Sequence, residues 1–196
     1  RIGDIATPAF ISISADTTLF EAVQRLKSTG MTGLPVVDAQ NTLIGMLSPM
    51  ALLSELMNIT SHKDQSLAGR SVYSSVALMT SVLAAELLSG TVEDDRKVFN
   101  VFVAAMSVQA FEKRLLKPDR ENPVIITGDR PEIHHCVITH RLPVLIITGD
   151  CDVEDNIIRL AAENNVTILR THYDSATVIR RLKFSTPVCN VPLSTT

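Results

Sequence analysis

The 196 residues are 45% hydrophobic and 20% charged, with a net charge of −3, 4% aromatic residues and no Trp. That composition packs one domain or two small ones, but offers neither the basic footprint nor the base-stacking platforms of a nucleic-acid binder. No apolar run reaches the ~18 residues of a membrane-spanning helix, and Cys136, Cys151 and Cys189 are an odd, scattered set that fits free thiols in a reducing cytosol.

The chain opens on Arg1-Ile2-Gly3-Asp4, without Met or a signal-peptide core, and is expected to be a piece of something longer. Leu19, Ala22, Val23 and Leu26 recur at helical spacing, with Thr17 or Thr18 as N-cap, Glu21 in the first turn and Gly30 as the stop. Leu34-Pro35-Val36-Val37 reads as a buried strand, residues 38–41 as a turn and Leu43–Leu47 as a second strand. Pro49 then suits the first turn of a helix over 50–57. The polar stretch 58–71 is the expected boundary. Ser74-Ser75 are predicted to open one long connecting helix, with Val76, Met79, Leu83 and Leu87 on one face, ending at Ser89-Gly90.

From there strands and helices alternate. Strands are predicted at 98–103, Pro123–Thr127, 143–148 and 166–169. Helices are predicted at 107–115, 131–140, 153–164 and 174–183. Apolar β-branched runs between helices of about ten residues point to a parallel sheet covered by helices. Two segments, ITGDRPEIHHCV and ITGDCDVEDNII, are locally alike.

Residues 2–57 resemble a cystathionine-β-synthase (CBS) domain. The marks are Thr7-Pro8, the Glu21-Ala22 helix, Leu34-Pro35-Val36-Val37-Asp38 and Leu43-Ile44-Gly45-Met46-Leu47-Ser48. Such domains sense adenine nucleotides in pairs rather than catalyse. Roughly residues 68–175 resemble a DRTGG domain, through Asp95-Arg96-Lys97-Val98, Ala105-Met106-Ser107, Gly128-Asp129-Arg130, Ile147-Thr148-Gly149-Asp150 and Tyr173-Asp174. Gly149-Asp150 departs from the Gly-Gly usual in that family. The implied fold class is α/β: half of a CBS pair, α+β with a small sheet and helices, then a DRTGG-type parallel α/β domain. Residues 1–60 would form the CBS domain, 61–92 a linker and connecting helix, 93–184 the DRTGG domain, and 185–196 the start of a following segment.

That order of modules is similar to the regulatory region of family II, manganese-dependent inorganic pyrophosphatases, in which a second CBS domain and the rest of the catalytic part follow. The resemblance implies AMP or ADP as inhibitors and ATP or diadenosine polyphosphates as activators. It also implies Mn2+ in the parent's catalytic domains, a cytoplasmic location and self-association of the CBS domain as a homodimer. The implied nucleotide contacts are Thr7, Pro8, Leu34, Pro35, Val36 and Ser48. The carboxylate that usually follows three residues after the Ser48 position is replaced by Ala51. On packing grounds alone, Leu34–Val37 is a core strand and Ser48 caps the next helix.

Elsewhere the chemistry is sparse. Asp129 and Glu132 flank one strand–helix loop, and Asp150, Asp152, Glu154 and Asp155 crowd another. Those carboxylates suit capping and the helix dipole better than anion binding. His134-His135-Cys136 are adjacent on a helix and diverge by about 100° per residue, His140 stands four residues on, Cys151 belongs to another element and no paired CxxC occurs; no metal site is therefore expected, with Cys136 in the core and the histidines at the surface or edge. Neither GxSxG, a Walker loop, HExxH nor the Asp-His-His and Ser-Arg-Lys signatures of the pyrophosphatases occurs in the chain, which leaves catalysis without a foothold. Two rivals stand beside the pyrophosphatase reading: a sensor fused to another activity, and a structural spacer that has lost its ligand.

Overall fold

The computed structural model describes residues 11–57, 70–115, 121–190 and 193. The chain divides into two compact units, the first discontinuous: unit 1 holds the described residues up to 57 and those after 186, unit 2 the residues between.

Unit 1 runs β1 (Ile13–Ser14), α1 (Leu19–Thr29), β2 (Leu34–Val37), β3 (Leu43–Leu47) and α2 (Pro49–Met57). Thr18, rather than Thr17, caps α1. Its hydroxyl accepts from the Glu21 amide at 3.2 Å, and the Glu21 carboxylate accepts from the Thr18 amide at 3.1 Å, a reciprocal capping box. Gly30 ends the helix at φ +67° while its amide returns to the Leu26 carbonyl. The sheet order is β1-β2-β3, parallel then antiparallel. Leu19, Ala22 and Leu26 of α1 are buried, as are Leu34, Val36 and Leu47 of the sheet. After 186 the chain rejoins this unit. Pro187 bridges Thr18, the Val188 amide donates to the Thr17 carbonyl at 2.8 Å, and the Val188 side chain is fully buried.

Unit 2 is a three-layer α/β sandwich. Its strands are β4 (Arg70–Ser74), β5 (Glu86–Ser89), β6 (Lys97–Val103), β7 (Pro123–Thr127), β8 (Val144–Thr148) and β9 (Thr167–Thr171). Its helices are α3 (Val76–Val82), α4 (Val108–Leu115), α5 (Pro131–Thr139), α6 (Asp155–Glu163) and α7 (Ser175–Phe184). The strand order is β4-β6-β7-β8-β9-β5, with β6 to β9 parallel and both edges antiparallel. Because side chains alternate along a strand, each central strand feeds two cores. Val124, Ile126 and Ile146 pack with Met79, Leu83, Val178 and Leu182 of the α3/α7 layer. Ile125, Leu145 and Ile147 pack with Phe111, Ile133, Val137 and Ile157 of the α4/α5/α6 layer. Ser74 and Ser185, at opposite ends of this unit, bring their hydroxyls within 3.4 Å.

The long helix predicted from Ser74 to Ser89 is corrected. Helix α3 stops at Val82, Ala84 takes φ +44°, and Leu87 lies in β5 opposite Leu169. The Thr171 hydroxyl donates to the Leu83 carbonyl at 2.7 Å, giving that acceptor a partner other than a next helical turn. Pairing with β9 overrides the helix propensity of the Leu- and Ala-rich stretch.

Asp174 caps α7. Its Oδ1 accepts from the Ala176 and Thr177 amides, each at 2.9 Å, and its Oδ2 from the Thr177 hydroxyl at 2.8 Å. The Thr177 amide, followed by the Thr177 hydroxyl, holds this carboxyl below its ordinary 3.8. A depressed carboxyl favours the folded state above its unfolded value, and that contribution is lost as pH falls through the folded value. Urea denaturation of Asp174→Asn against the parent is expected to show a gap at pH 7 that closes below about pH 4.

Candidate functional site

Four of the six residues implied as nucleotide contacts lie on β2 and the β3–α2 junction; Thr7 and Pro8 fall outside the described residues. The antiparallel register pairs Leu34 with Leu47, Pro35 with Met46 and Val36 with Gly45, so Ser48 follows directly from the partner of Leu34. Leu34 and Val36 are fully buried, whereas Pro35 and Ser48 are half-buried. The Ser48 hydroxyl accepts from the Ala51 amide at 3.1 Å and so caps α2. This leaves an apolar strand, Pro35 on its outer face and one hydroxyl at a helix start. An apolar wall with few polar groups suits a planar, weakly polar ligand. Met46, the cross-strand partner of Pro35, is half-buried on the same face as Pro35. Gly45 sits where an added Cβ would lie 2.7 Å from the Leu193 Cβ, so the returning segment closes against β3.

In unit 2 the strand–helix loops are internally engaged. Arg130 donates through Nη1 to the carbonyls of Ala104 at 2.7 Å and Met106 at 2.8 Å, and through Nη2 to Glu132 at 3.3 Å. Its guanidinium thus ties the β6–α4 loop to the β7–α5 loop. Gly149 at φ +79° and Asp150 at φ +53° turn the chain after β8, and Arg170 pairs with Glu86 at 2.6 Å and Asp152 at 3.7 Å. The expected side-chain capping by the loop carboxylates is corrected. Arg130 and Glu154 occupy the N-cap positions of α5 and α6 without a side-chain cap, and Glu132 and Asp155 lie in the first turns.

His134 is also corrected from surface to core. It is 2% exposed, with Nε2 2.9 Å from the Gly128 carbonyl, and burial lowers its pKa from 6.5 against the opposing pull of that hydrogen bond. Cys136 is buried as expected. Desolvation, then the neighbouring Glu112 carboxylate, pushes its thiol up to about 11. His140, set apart from His134-His135-Cys136 by its four-residue spacing, reaches back one helical turn to Cys136, with Nδ1 3.7 Å from the sulfur.

A family model of the DRTGG domain matches residues 79–185, and one of the CBS domain matches residues 2–58. The cobalt-dependent inorganic pyrophosphatase of Clostridium perfringens (strain 13 / Type A) is 30% identical over 190 residues, covering 96% of this chain and 33% of that protein. The chain therefore spans about one third of the length of that relative. A crystal structure of the CBS and DRTGG domains of the regulatory region of Clostridium perfringens pyrophosphatase, complexed with its activator diadenosine tetraphosphate, superposes with a TM-score of 0.77. The two are 28% identical, over 99% of this chain and 80% of that one. Matched over more than half its length by the DRTGG model and ahead of that by the CBS model, this chain belongs to the DRTGG-domain family and carries a CBS domain in front, as a pyrophosphatase regulatory region does.

Proposed function

We propose that this chain is the regulatory, adenine-nucleotide-sensing part of a cytoplasmic, metal-dependent inorganic pyrophosphatase. The observation that carries the reading is the collinear likeness, over nearly the whole chain, to a regulatory region complexed with diadenosine tetraphosphate. Adenine would lie against Pro35 and the β2 backbone, with Leu34 and Val36 as the rigid floor and Ser48 at the ribose or phosphate. Thr7 and Pro8 complete the expected contacts. Regulation requires a ligand that binds one arrangement of the parent protein better than another. Diadenosine tetraphosphate and ATP would favour the more active arrangement, AMP and ADP the less active one. The catalytic metal, manganese by the sequence resemblance and cobalt in the relative's name, would be held by residues outside this chain.

Calorimetric titration with diadenosine tetraphosphate and with AMP tests this reading. Binding of at least one is expected, and Ser48→Ala is expected to weaken it roughly 3- to 10-fold, the worth of one hydrogen bond. Silence with both nucleotides, in this chain and in the whole protein, would leave the structural-spacer reading. That alternative is favoured by Ala51 and by the cap that already engages Ser48.

Unit 1 also exposes Phe20, Leu43, Ile44, Met50 and Leu53, a large apolar share for so small a unit. Homodimerisation through this unit is the accompanying proposal. Met50→Glu, at a residue 67% exposed, is expected to leave the melting temperature nearly unchanged and shift sedimentation from dimer to monomer. An unaltered dimer would place the contact elsewhere.

A further inference from the structure

Helices α4 and α5 carry a side-chain cluster that nucleotide sensing does not use. The Cys136 sulfur lies 3.8 Å from Glu112 Oε1 and 3.7 Å from His140 Nδ1, and one ligand atom from each residue falls within 4.8 Å of the others. With metal–sulfur bonds of about 2.3 Å and metal–nitrogen or metal–oxygen bonds of about 2.0–2.1 Å, a tetrahedral centre separates its sulfur from each neighbouring ligand by about 3.6 Å. Both sulfur separations are therefore near those of a loaded site. Glu112 lies in α4, Cys136 in α5 and His140 at the C-cap of α5, so the spacing rests on the packing of α4 on α5.

We propose that Glu112, Cys136 and His140 form a binding site for a borderline-soft divalent cation of the zinc or cobalt class, with the fourth position open to solvent. The donor set selects that class. A thiolate and an imidazole suit zinc and cobalt, whereas magnesium, calcium and manganese prefer all-oxygen shells. Cys136 is buried, Glu112 half-buried and His140 exposed, so the sulfur anchors the ion and the imidazole lies at the open side. On binding, the Cys136 S–H bond breaks, a sulfur–metal bond forms, and the proton leaves to solvent. His140 Nδ1 also sits 2.9 Å from the Cys136 carbonyl oxygen. An ion taking Nδ1 displaces that hydrogen bond and leaves the ring proton on Nε2. This site is independent of the nucleotide reading, since it lies wholly in unit 2.

The test is titration of the chelator-treated chain with Co2+ alone, followed by Zn2+. One equivalent of Co2+ is expected to give a thiolate-to-cobalt charge-transfer band with tetrahedral visible bands, both erased by Zn2+. Cys136→Ser is expected to abolish the charge-transfer band. His140→Ala and Glu112→Gln are each expected to weaken binding tenfold or more, while His135→Ala and a Cys151→Ser/Cys189→Ser double variant leave it unchanged. Circular dichroism checks that each variant is folded; His140 is exposed, so its variant remains a fair test even where Cys136→Ser unfolds. Absence of the band in the parent, its survival in folded Cys136→Ser, or its loss in the Cys151/Cys189 variant would each overturn the assignment.

Discussion

Gly90→Ala is expected to lower the stability of unit 2 by about 2–5 kcal/mol, read as a fall in the urea midpoint with an unchanged slope. Gly90 ends β5 at φ +89°, a conformation in which a residue bearing a Cβ is strained by about 1–2 kcal/mol. The added methyl would also stand 2.5 Å from the Thr167 hydroxyl and 2.8 Å from the Thr167 Cα. Rotating the threonine removes only the first clash. The second is with backbone in β9, which is held on one side by β8 and on the other by β5. Overpacking of this kind costs about 1–3 kcal/mol. Adding Thr167→Ala is therefore expected to recover only a minor part of the loss. Full recovery would mean that the side chain, not the β9 backbone, sets the constraint.

Arg130→Ala is expected to cost about 2–3 kcal/mol, from two charge-assisted hydrogen bonds to carbonyls, one of them on the buried Ala104. Arg130→Lys is expected to recover less than half, because one ammonium does not reproduce a planar fork whose Nη1 serves two carbonyls while Nη2 reaches Glu132. Glu132→Gln, at an exposed carboxylate, is expected to change little. If Arg130→Ala were as stable as the parent, the guanidinium would be free for a ligand, and the loop would have to be reconsidered as an anion site.

Legibility followed the strength of local signals. Strand Pro123–Thr127 and helix α1 were readable because period and caps agree: a β-branched apolar run for one, Thr18, Glu21 and Gly30 for the other. Strand β5 was hidden because Glu86-Leu87-Leu88 has helix-favouring composition and becomes a strand only by pairing with β9, some eighty residues away in sequence. The antiparallel edges were invisible for the same reason. At the candidate site, Ser48 as a helix cap and Leu34 and Val36 as core were readable from pattern. The return of Pro187 and Val188 to Thr17 and Thr18, and the approach of Leu193 to Gly45, were not, since nothing local in Pro187-Val188 says what receives it. Likewise, nothing local to Gly128-Asp129-Arg130 names the two carbonyls that the guanidinium serves, because they lie more than twenty residues upstream.

The meeting of Ser74 with Ser185, 111 positions apart, has a further consequence. The DRTGG unit starts and finishes at one spot, so it behaves as a cassette spliced into a loop of its CBS host. Splicing of this kind is tolerated because it asks the host only to bridge a short gap. Melting the cassette would replace that gap with a floppy tether of over a hundred residues. The entropy of closing such a tether, about 2 kcal/mol more than for one of ten residues, would then fall on the Thr18–Pro187 bridge and its neighbours. The inserted unit therefore acts, through the connectivity of the chain, as a staple for its host.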